Sequence, residues 1–84
     1  MYSSQIMMIN IADLPVGALA VIIGFGIANE FTERLQELGL TVGTKIKIIR
    51  RAPFKGPFEI SYGHSSRLAV RPNENTAIYV RQVE

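Results

Sequence analysis

The sequence predicts a mainly β protein, a small barrel of about five strands with one short α-helix. The chain has 84 residues, enough for one domain only. Hydrophobic residues make up 48% of it, which is ample for a core. Short apolar or alternating segments between glycine- and proline-containing turns outnumber the single helical segment. We therefore expect one domain over residues 1–84, with residues 1–8 as a loose N-terminal tail and a closed barrel without exposed strand edges.

The first expected elements are a short helical turn near residues 11–14 and a buried strand. The sequence Pro15-Val16-Gly17 predicts a tight turn between them. Residues 19–23 form a continuous apolar run rich in β-branched side chains, which predicts a strand that is buried on both faces. The glycines at 24 and 26 are expected to end that strand.

The helix is expected over about residues 29–38. Asn29 is a good N-cap, because its side chain can accept a hydrogen bond from a free amide of the first turn. Gly39 can adopt the left-handed conformation that ends many helices. Apolar residues spaced four and three positions apart form one face that must pack on the sheet; they are Phe31, Leu35 and Leu38.

The second half of the chain is strand-like. Residues 45–50 alternate between lysine and isoleucine until Ile49 breaks the period, as a β-bulge would. A proline-flanked loop follows at 53–57. Three further strands are expected at 58–62, 67–71 and 78–83, separated by turns at 63–65 and 72–75.

One pentapeptide pattern occurs twice. Leu14-Pro15-Val16-Gly17-Ala18 returns 26 residues later as Leu40-Thr41-Val42-Gly43-Thr44, and each copy precedes a pair of isoleucines. We interpret each copy as a turn that leads the chain into a strand, with Gly17 and Gly43 supplying the backbone freedom.

The composition argues against an enzyme. The chain has no cysteine, which excludes disulfides, thiolate metal sites and cysteine nucleophiles, and it has one histidine. The acidic residues form no pair suited to acid–base catalysis. The longest uncharged run has 16 residues, from Leu14 to Asn29, which is short of the ~20 needed to cross a bilayer. We expect a cytoplasmic protein that does not itself span a membrane.

The charges are unevenly distributed. Residues 1–44 have a net charge of −3 and residues 45–84 a net charge of +5. Such a basic half raises the alternative of a nucleic-acid-binding barrel, in which Tyr62 and Tyr79 could stack on bases. The whole chain carries only +2, and two glutamates interrupt the basic stripe. The basic stripe consists of Arg50, Arg51, Lys55, Arg67 and Arg71. Because its charge is partly interrupted, we do not expect nucleic acid as a partner.

Aromatic residues in and after the central loop form a candidate partner-binding site. Phe54, Phe58 and Tyr62 lie beside Lys55, and exposed aromatics are frequent anchors of protein interfaces. The alternative is that Phe58 closes the barrel and that Phe54 alone is exposed.

The only imidazole, His64, is the candidate metal ligand, with Glu59 as the nearest acid in sequence. Because one imidazole is too few for a site, a metal would need ligands from a second molecule. A metal-binding homo-oligomer is thus another alternative.

An ordered set of residues joins the helix, its glycine stop and the second turn; it consists of Arg34, Leu35, Leu38, Gly39, Leu40 and Gly43. This set resembles the FeoA family, small proteins of bacterial ferrous iron uptake. The resemblance covers about residues 11–83. It implies an SH3-like barrel, also present at the C-terminus of DtxR-type repressors. It further implies an accessory or regulatory role through contact with the cytoplasmic region of FeoB, the membrane transporter, with no required cofactor. Because the implied partner is this transporter, Arg50 and Arg51 are added to the candidate partner-binding site. The structural motif that carries the resemblance includes Gly17 of the first turn together with Arg34, Leu35, Leu38, Gly39, Leu40 and Gly43.

Overall fold

The part of the chain that the structure describes is an antiparallel sheet of six strands with one α-helix and one 3-10 helix. A computed structural model describes residues 8–54, 56–71 and 78–83. Most of the expected N-terminal tail, the expected turn at 72–75 and Lys55 lie outside the described residues. The elements are β1 (Ile9–Asn10), the 3-10 helix (Ile11–Asp13), β2 (Leu19–Phe25), α1 (Glu30–Glu37), β3 (Lys45–Arg51), β4 (Phe58–Tyr62), β5 (Ser66–Val70) and β6 (Ile78–Val83).

The strands are arranged in the order β1-β6-β2-β3-β4-β5, which confirms the mainly β fold. The sequence predicted five strands, and the additional one is β1, a two-residue strand that pairs with β6. The sequence also predicts a closed barrel, in which hydrogen bonds would join the first and last strands of the sheet. Within the described ranges, however, β1 and β5 are the two ends of the sheet and no ladder joins them.

The core lies on one face of the sheet and is almost entirely aliphatic. Phe58 is its one large aromatic residue, 1% exposed. The 3-10 helix contributes Ile11 to the core, and the segment after α1 contributes Leu40. The other buried members are Leu14, Ala18, Ala20, Ile22, Leu35, Ile46, Ile48, Ile60, Val70, Ile78 and Val80.

The expected strand at 19–23 differs from the prediction in two ways. It continues through Gly24 to Phe25. It is also not buried on both faces: Ala20 and Ile22 are buried, whereas Leu19 and Val21 on the other face are half-buried. The helix and the core occupy only one side of the sheet, so the second apolar face of β2 has no layer above it among the described residues.

The helix begins and ends as its sequence predicts. The Asn29 side chain accepts a hydrogen bond from the Thr32 amide at 2.9 Å, and the Thr32 hydroxyl accepts one from the Asn29 amide at 3.0 Å. This reciprocal capping box also satisfies Thr32, which is buried. Gly39 has φ +99°, and the Leu40 amide donates to the Leu35 carbonyl at 2.9 Å, as in a Schellman motif.

The expected apolar face of the helix is only partly correct. Leu35 is buried, but Phe31 is 37% and Leu38 is 47% exposed. The helix has eight residues and meets the core along a narrow line, where Thr32 occupies the second buried position. Leu38 is the C-cap residue, so it lies where the helix leaves the core.

The two copies of the repeated turn have the same structure. Gly17 and Gly43 have φ angles of +92° and +96°. Each glycine amide donates across the sheet at 2.8 Å, Gly17 to the Ile48 carbonyl and Gly43 to the Ile22 carbonyl. The strand that follows each turn has its register shift at an equivalent point, after Ile22 in β2 and after Ile48 in β3. The predicted bulge at Ile49 is thus confirmed, and it has a counterpart in β2.

Candidate interaction site

The loop between β3 and β4, residues 52–57, is a tight turn held by two backbone hydrogen bonds. The Ala52 amide donates to the Pro57 carbonyl at 2.9 Å, and the Gly56 amide donates to the Pro53 carbonyl at 3.1 Å. A Cβ atom at Gly56 would lie 2.9 Å from the Cβ atom of Ala52. Because such an approach is too close, the turn requires glycine at this position.

Phe54 is the residue that this turn presents to solvent. It is 99% exposed and has φ 59°, in the left-handed region. No other non-glycine residue of the described part has a positive φ. A bulky side chain in that region costs on the order of 1–3 kcal/mol. The loop therefore combines an unfavourable backbone conformation with a fully exposed aromatic ring, and both features point to a contact site.

A shallow groove of about 280 Å³ lies at the base of this loop. The buried Phe58 ring forms its apolar floor, and the Arg51 guanidinium lies 4.8 Å from the centre of that ring. Arg51 also donates a hydrogen bond to the Leu14 carbonyl at 2.6 Å. Phe58 is thus a core residue, and Arg51 ties β3 to the segment before β2. The groove is lined by Arg50, Arg51, Ala52, Pro57, Phe58, Glu59 and Ala69.

Glu59 is engaged by two arginines on neighbouring strands. The Arg50 Nε atom lies 3.0 Å from one carboxylate oxygen, and an Arg67 terminal nitrogen lies 4.0 Å from the other. The Arg50 and Arg67 side chains are 74% and 60% exposed. Each pair therefore contributes about 0–1 kcal/mol to stability. The single carboxylate of Glu59 offsets one of the five positive charges of the basic stripe that the sequence suggested.

The structure separates the two candidate metal ligands. His64 is exposed in the turn between β4 and β5, whereas Glu59 faces its arginine partners near the other end of β4. At ~3.3 Å per strand residue, roughly 13 Å separates that turn from Glu59. In the described ranges no three His, Asp or Glu side chains come together as a metal-binding group.

Tyr62 also lies apart from Phe54. Its hydroxyl donates to the Leu38 carbonyl at 3.0 Å, and a ring carbon lies 3.7 Å from the ideal Cβ position of Gly39. Tyr62 thus fastens the C-terminal end of the helix to β4. The predicted aromatic group of three is distributed over three places, with Phe54 exposed, Phe58 in the core and Tyr62 under the helix end.

The structural motif residues have mostly structural positions. Leu35 and Leu40 are buried and Gly39 and Gly43 adopt positive φ angles, while Arg34 is exposed. Sequence reasoning missed the contact between Arg51 and Leu14, because 37 residues separate them and no local pattern signals the pair. The two helices among the described residues have eight and three residues, and neither could span a bilayer.

Comparison with known proteins gives a family and a fold. The chain matches the FeoA domain family over residues 9–82. The FeoA protein of Chlorobium tepidum is 29% identical with a TM-score of 0.80, and the alignment covers 90% of this chain and 71% of that one. The FeoA of Stenotrophomonas maltophilia, crystallised with zinc and described as an SH3 domain protein, is 26% identical with a TM-score of 0.72, covering 86% and 88%.

A more distant similarity extends to a repressor. A manganese-dependent transcriptional repressor is 12% identical with a TM-score of 0.79, over 90% of this chain and 37% of that one. This likeness concerns the fold alone. Comparison with curated protein sequences gave no match. Together the structural matches confirm the SH3-like fold.

Proposed function

This chain belongs to the FeoA family, and from that premise we propose that it is an accessory protein of ferrous iron uptake. Its proposed role is to bind and regulate the cytoplasmic region of an FeoB-type transporter, in the cytoplasm and without catalysing a reaction. The family links the chain to ferrous iron transport. The Stenotrophomonas relative is described as a candidate ferrous iron transport activating factor, which supports a regulatory role.

The proposed contact rests on one observation, the complete exposure of the Phe54 side chain. An exposed aromatic ring on a short, hydrogen-bonded turn loses little conformational entropy on binding, and such rings are common interface hot spots. Arg50 lies at the edge of the adjacent groove, where it can meet a carboxylate of the partner. We propose that Phe54 is the anchor and that the groove rim adds polar contacts around it. Lys55, which the sequence places next to Phe54, stays a candidate from the sequence alone.

The experiment is a binding titration against the purified cytoplasmic GTPase domain of the transporter, with and without nucleotide. Phe54→Ala should weaken binding by at least tenfold, since hot-spot truncations cost about 2 kcal/mol or more. Val42→Ala is the matched control, because Val42 is a 63% exposed apolar residue on another turn. Its affinity should equal that of the unmodified chain. An absence of binding under all nucleotide conditions would refute the proposed partner.

A metal enters this proposal only between molecules. We propose that no cofactor is required and that any divalent ion would bridge the exposed His64 side chains of two copies. The Stenotrophomonas relative was crystallised with zinc, which makes the test worthwhile. His64→Ala should abolish any metal-dependent dimer in sedimentation experiments while leaving binding to the transporter domain unchanged.

A further inference from the structure

We propose that the face of the sheet opposite the core is a second docking site, for an acidic peptide segment with apolar side chains. We define this outer face by Leu19 and Val21 on β2, Lys45 and Lys47 on β3, and Arg81 on β6. It is separate from the Phe54 loop, and it requires no particular transporter. The inference therefore goes beyond the proposed function.

The strand register places these five residues side by side. Val21 is the direct neighbour of Lys45 on one side and Arg81 on the other. Leu19 is likewise the direct neighbour of Lys47. Directly opposed residues point to the same face, with Cβ atoms about 5 Å apart. Val21 thus lies between two cations, whereas Leu19 lies between Lys47 and the half-buried Val83.

The internal repeat shows that the fold does not dictate this chemistry. Leu19 and Lys45 occupy equivalent positions in the two copies, 26 residues apart, as do Val21 and Lys47. The backbone around both copies is the same, yet one strand carries leucine and valine where the other carries two lysines. The apolar pair on β2 is half-buried and lies outside the core cluster, so packing alone does not account for it.

The cations of the outer face have no acidic partner in the described part of the chain. The only ion pairs found there use Glu59, which contacts Arg50 and Arg67. Lys45, Lys47 and Arg81 are all exposed. Three uncompensated positive charges around an apolar strip are complementary to carboxylates placed around apolar side chains.

The surface is also shaped to receive a chain segment. Two open hollows of about 510 and 450 Å³ meet at Lys47 and Ser61. The first includes Leu19 and Lys45 in its lining, and the second extends to Arg67. A peptide lying along both would pass directly over Lys47. The two hollows together follow β3 from Lys45 to Ile49. Val21, the direct neighbour of Lys45, lies beside this path.

A peptide fits this face better than a nucleic acid does. Nucleic-acid surfaces combine many cations with exposed stacking rings. Here the centre of the face is aliphatic, and Tyr62 lies on the opposite face, bonded to the helix end. Tyr79 lies on the same face as Arg81 but is half-buried and not an exposed stacking ring. Leucine and valine can bury apolar side chains of a peptide, whereas they offer nothing to a phosphate backbone.

The test is an NMR titration of the isotope-labelled full chain with a short synthetic peptide that combines glutamate, leucine and serine. The chemical-shift changes of the backbone amides should cluster at the outer face. They should become smaller at high salt, because the salt weakens binding of the acidic peptide. Lys47→Gln should weaken binding about tenfold. Val21→Thr should weaken it several-fold while keeping a residue that favours strands. Arg34→Gln, which removes the same charge from the exposed side of the helix, is the matched control and should leave the affinity unchanged.

Three results would overturn the proposal. One is an equal response to a peptide with lysine in place of glutamate. Another is an unchanged affinity of the Lys47→Gln variant. The third is a larger shift of the same residues by a single-stranded oligonucleotide, which would assign the face to nucleic acid. Because the titration contains no transporter domain, its outcome is independent of the proposed function.

Discussion

Replacing Phe54 by glycine should make the protein more stable while abolishing its partner contact. The Phe54 side chain is 99% exposed, so its removal forfeits almost no burial. The backbone at φ 59° costs a non-glycine residue about 1–2 kcal/mol, and glycine does not incur this cost. Against this gain, the greater freedom of glycine in the unfolded chain costs roughly 0.5–1 kcal/mol. Taking the middle of each range, the net gain is about 0.75 kcal/mol, which corresponds to a rise in Tm of roughly 3–6 °C for a domain of this size.

Thermal unfolding followed by circular dichroism measures this change, with Val42→Gly as the control. Val42 is also an exposed apolar turn residue, at 63%, but has no positive φ, so glycine there should lower the stability by about 0.5–1 kcal/mol. The two glycine substitutions are thus expected to shift Tm in opposite directions. In Phe54→Ala a non-glycine residue still occupies the left-handed backbone conformation, so the strain remains and Tm should be nearly unchanged. A fall in Tm for Phe54→Gly, parallel to that for Val42→Gly, would refute the argument that the turn stores backbone strain.

Two further substitutions test the fold. Gly17→Ala and Gly43→Ala should each destabilise the protein by about 1–2 kcal/mol in urea unfolding, because both glycines have positive φ and no atom crowds either ideal Cβ position; clearly unequal losses would contradict the structural equivalence of the two copies. Tyr62→Phe should cost about 0.5–1.5 kcal/mol through the lost hydrogen bond to Leu38, and hydrogen exchange should quicken at the end of the helix. Unchanged exchange there would argue against Tyr62 as a brace.

Local signals in the sequence were sufficient for the helix and most strands. The capping box and the glycine stop act within a few residues, so Asn29 and Gly39 define the helix without knowledge of its neighbours. The bounds of β4 and β6 also follow from the alternating pattern between turns. By contrast, β1 has two residues and exists only because β6 offers it an edge, a pairing that no short pattern can reveal.

Burial was harder to predict because it depends on which layers the fold provides. An apolar run such as that of β2 has the same sequence pattern whether other elements pack on one face of the strand or on both. The exposure of Phe31 and Leu38 has the same origin, since helical periodicity identifies a face but not how much of it meets the core. In the candidate site, the sequence named Phe54 and Phe58 together. Only the strand register shows that Phe58 points inward while the turn carries Phe54 outward.

The internal repeat separates what this fold requires from what it tolerates. At three of the five positions where the two copies agree, the structure gives a reason: both leucines at 14 and 40 are buried, both glycines at 17 and 43 have positive φ, and Ile22 and Ile48 lie in the core. The shared valines at 16 and 42 are exposed. At the outward positions of β2 and β3 the copies differ, although their backbones make equivalent hydrogen bonds. A symmetric backbone therefore carries an asymmetric surface, apolar on one strand and cationic on the next. Because the backbone hydrogen bonds alone do not select between these two surfaces, this difference is the observation on which the proposed peptide site rests.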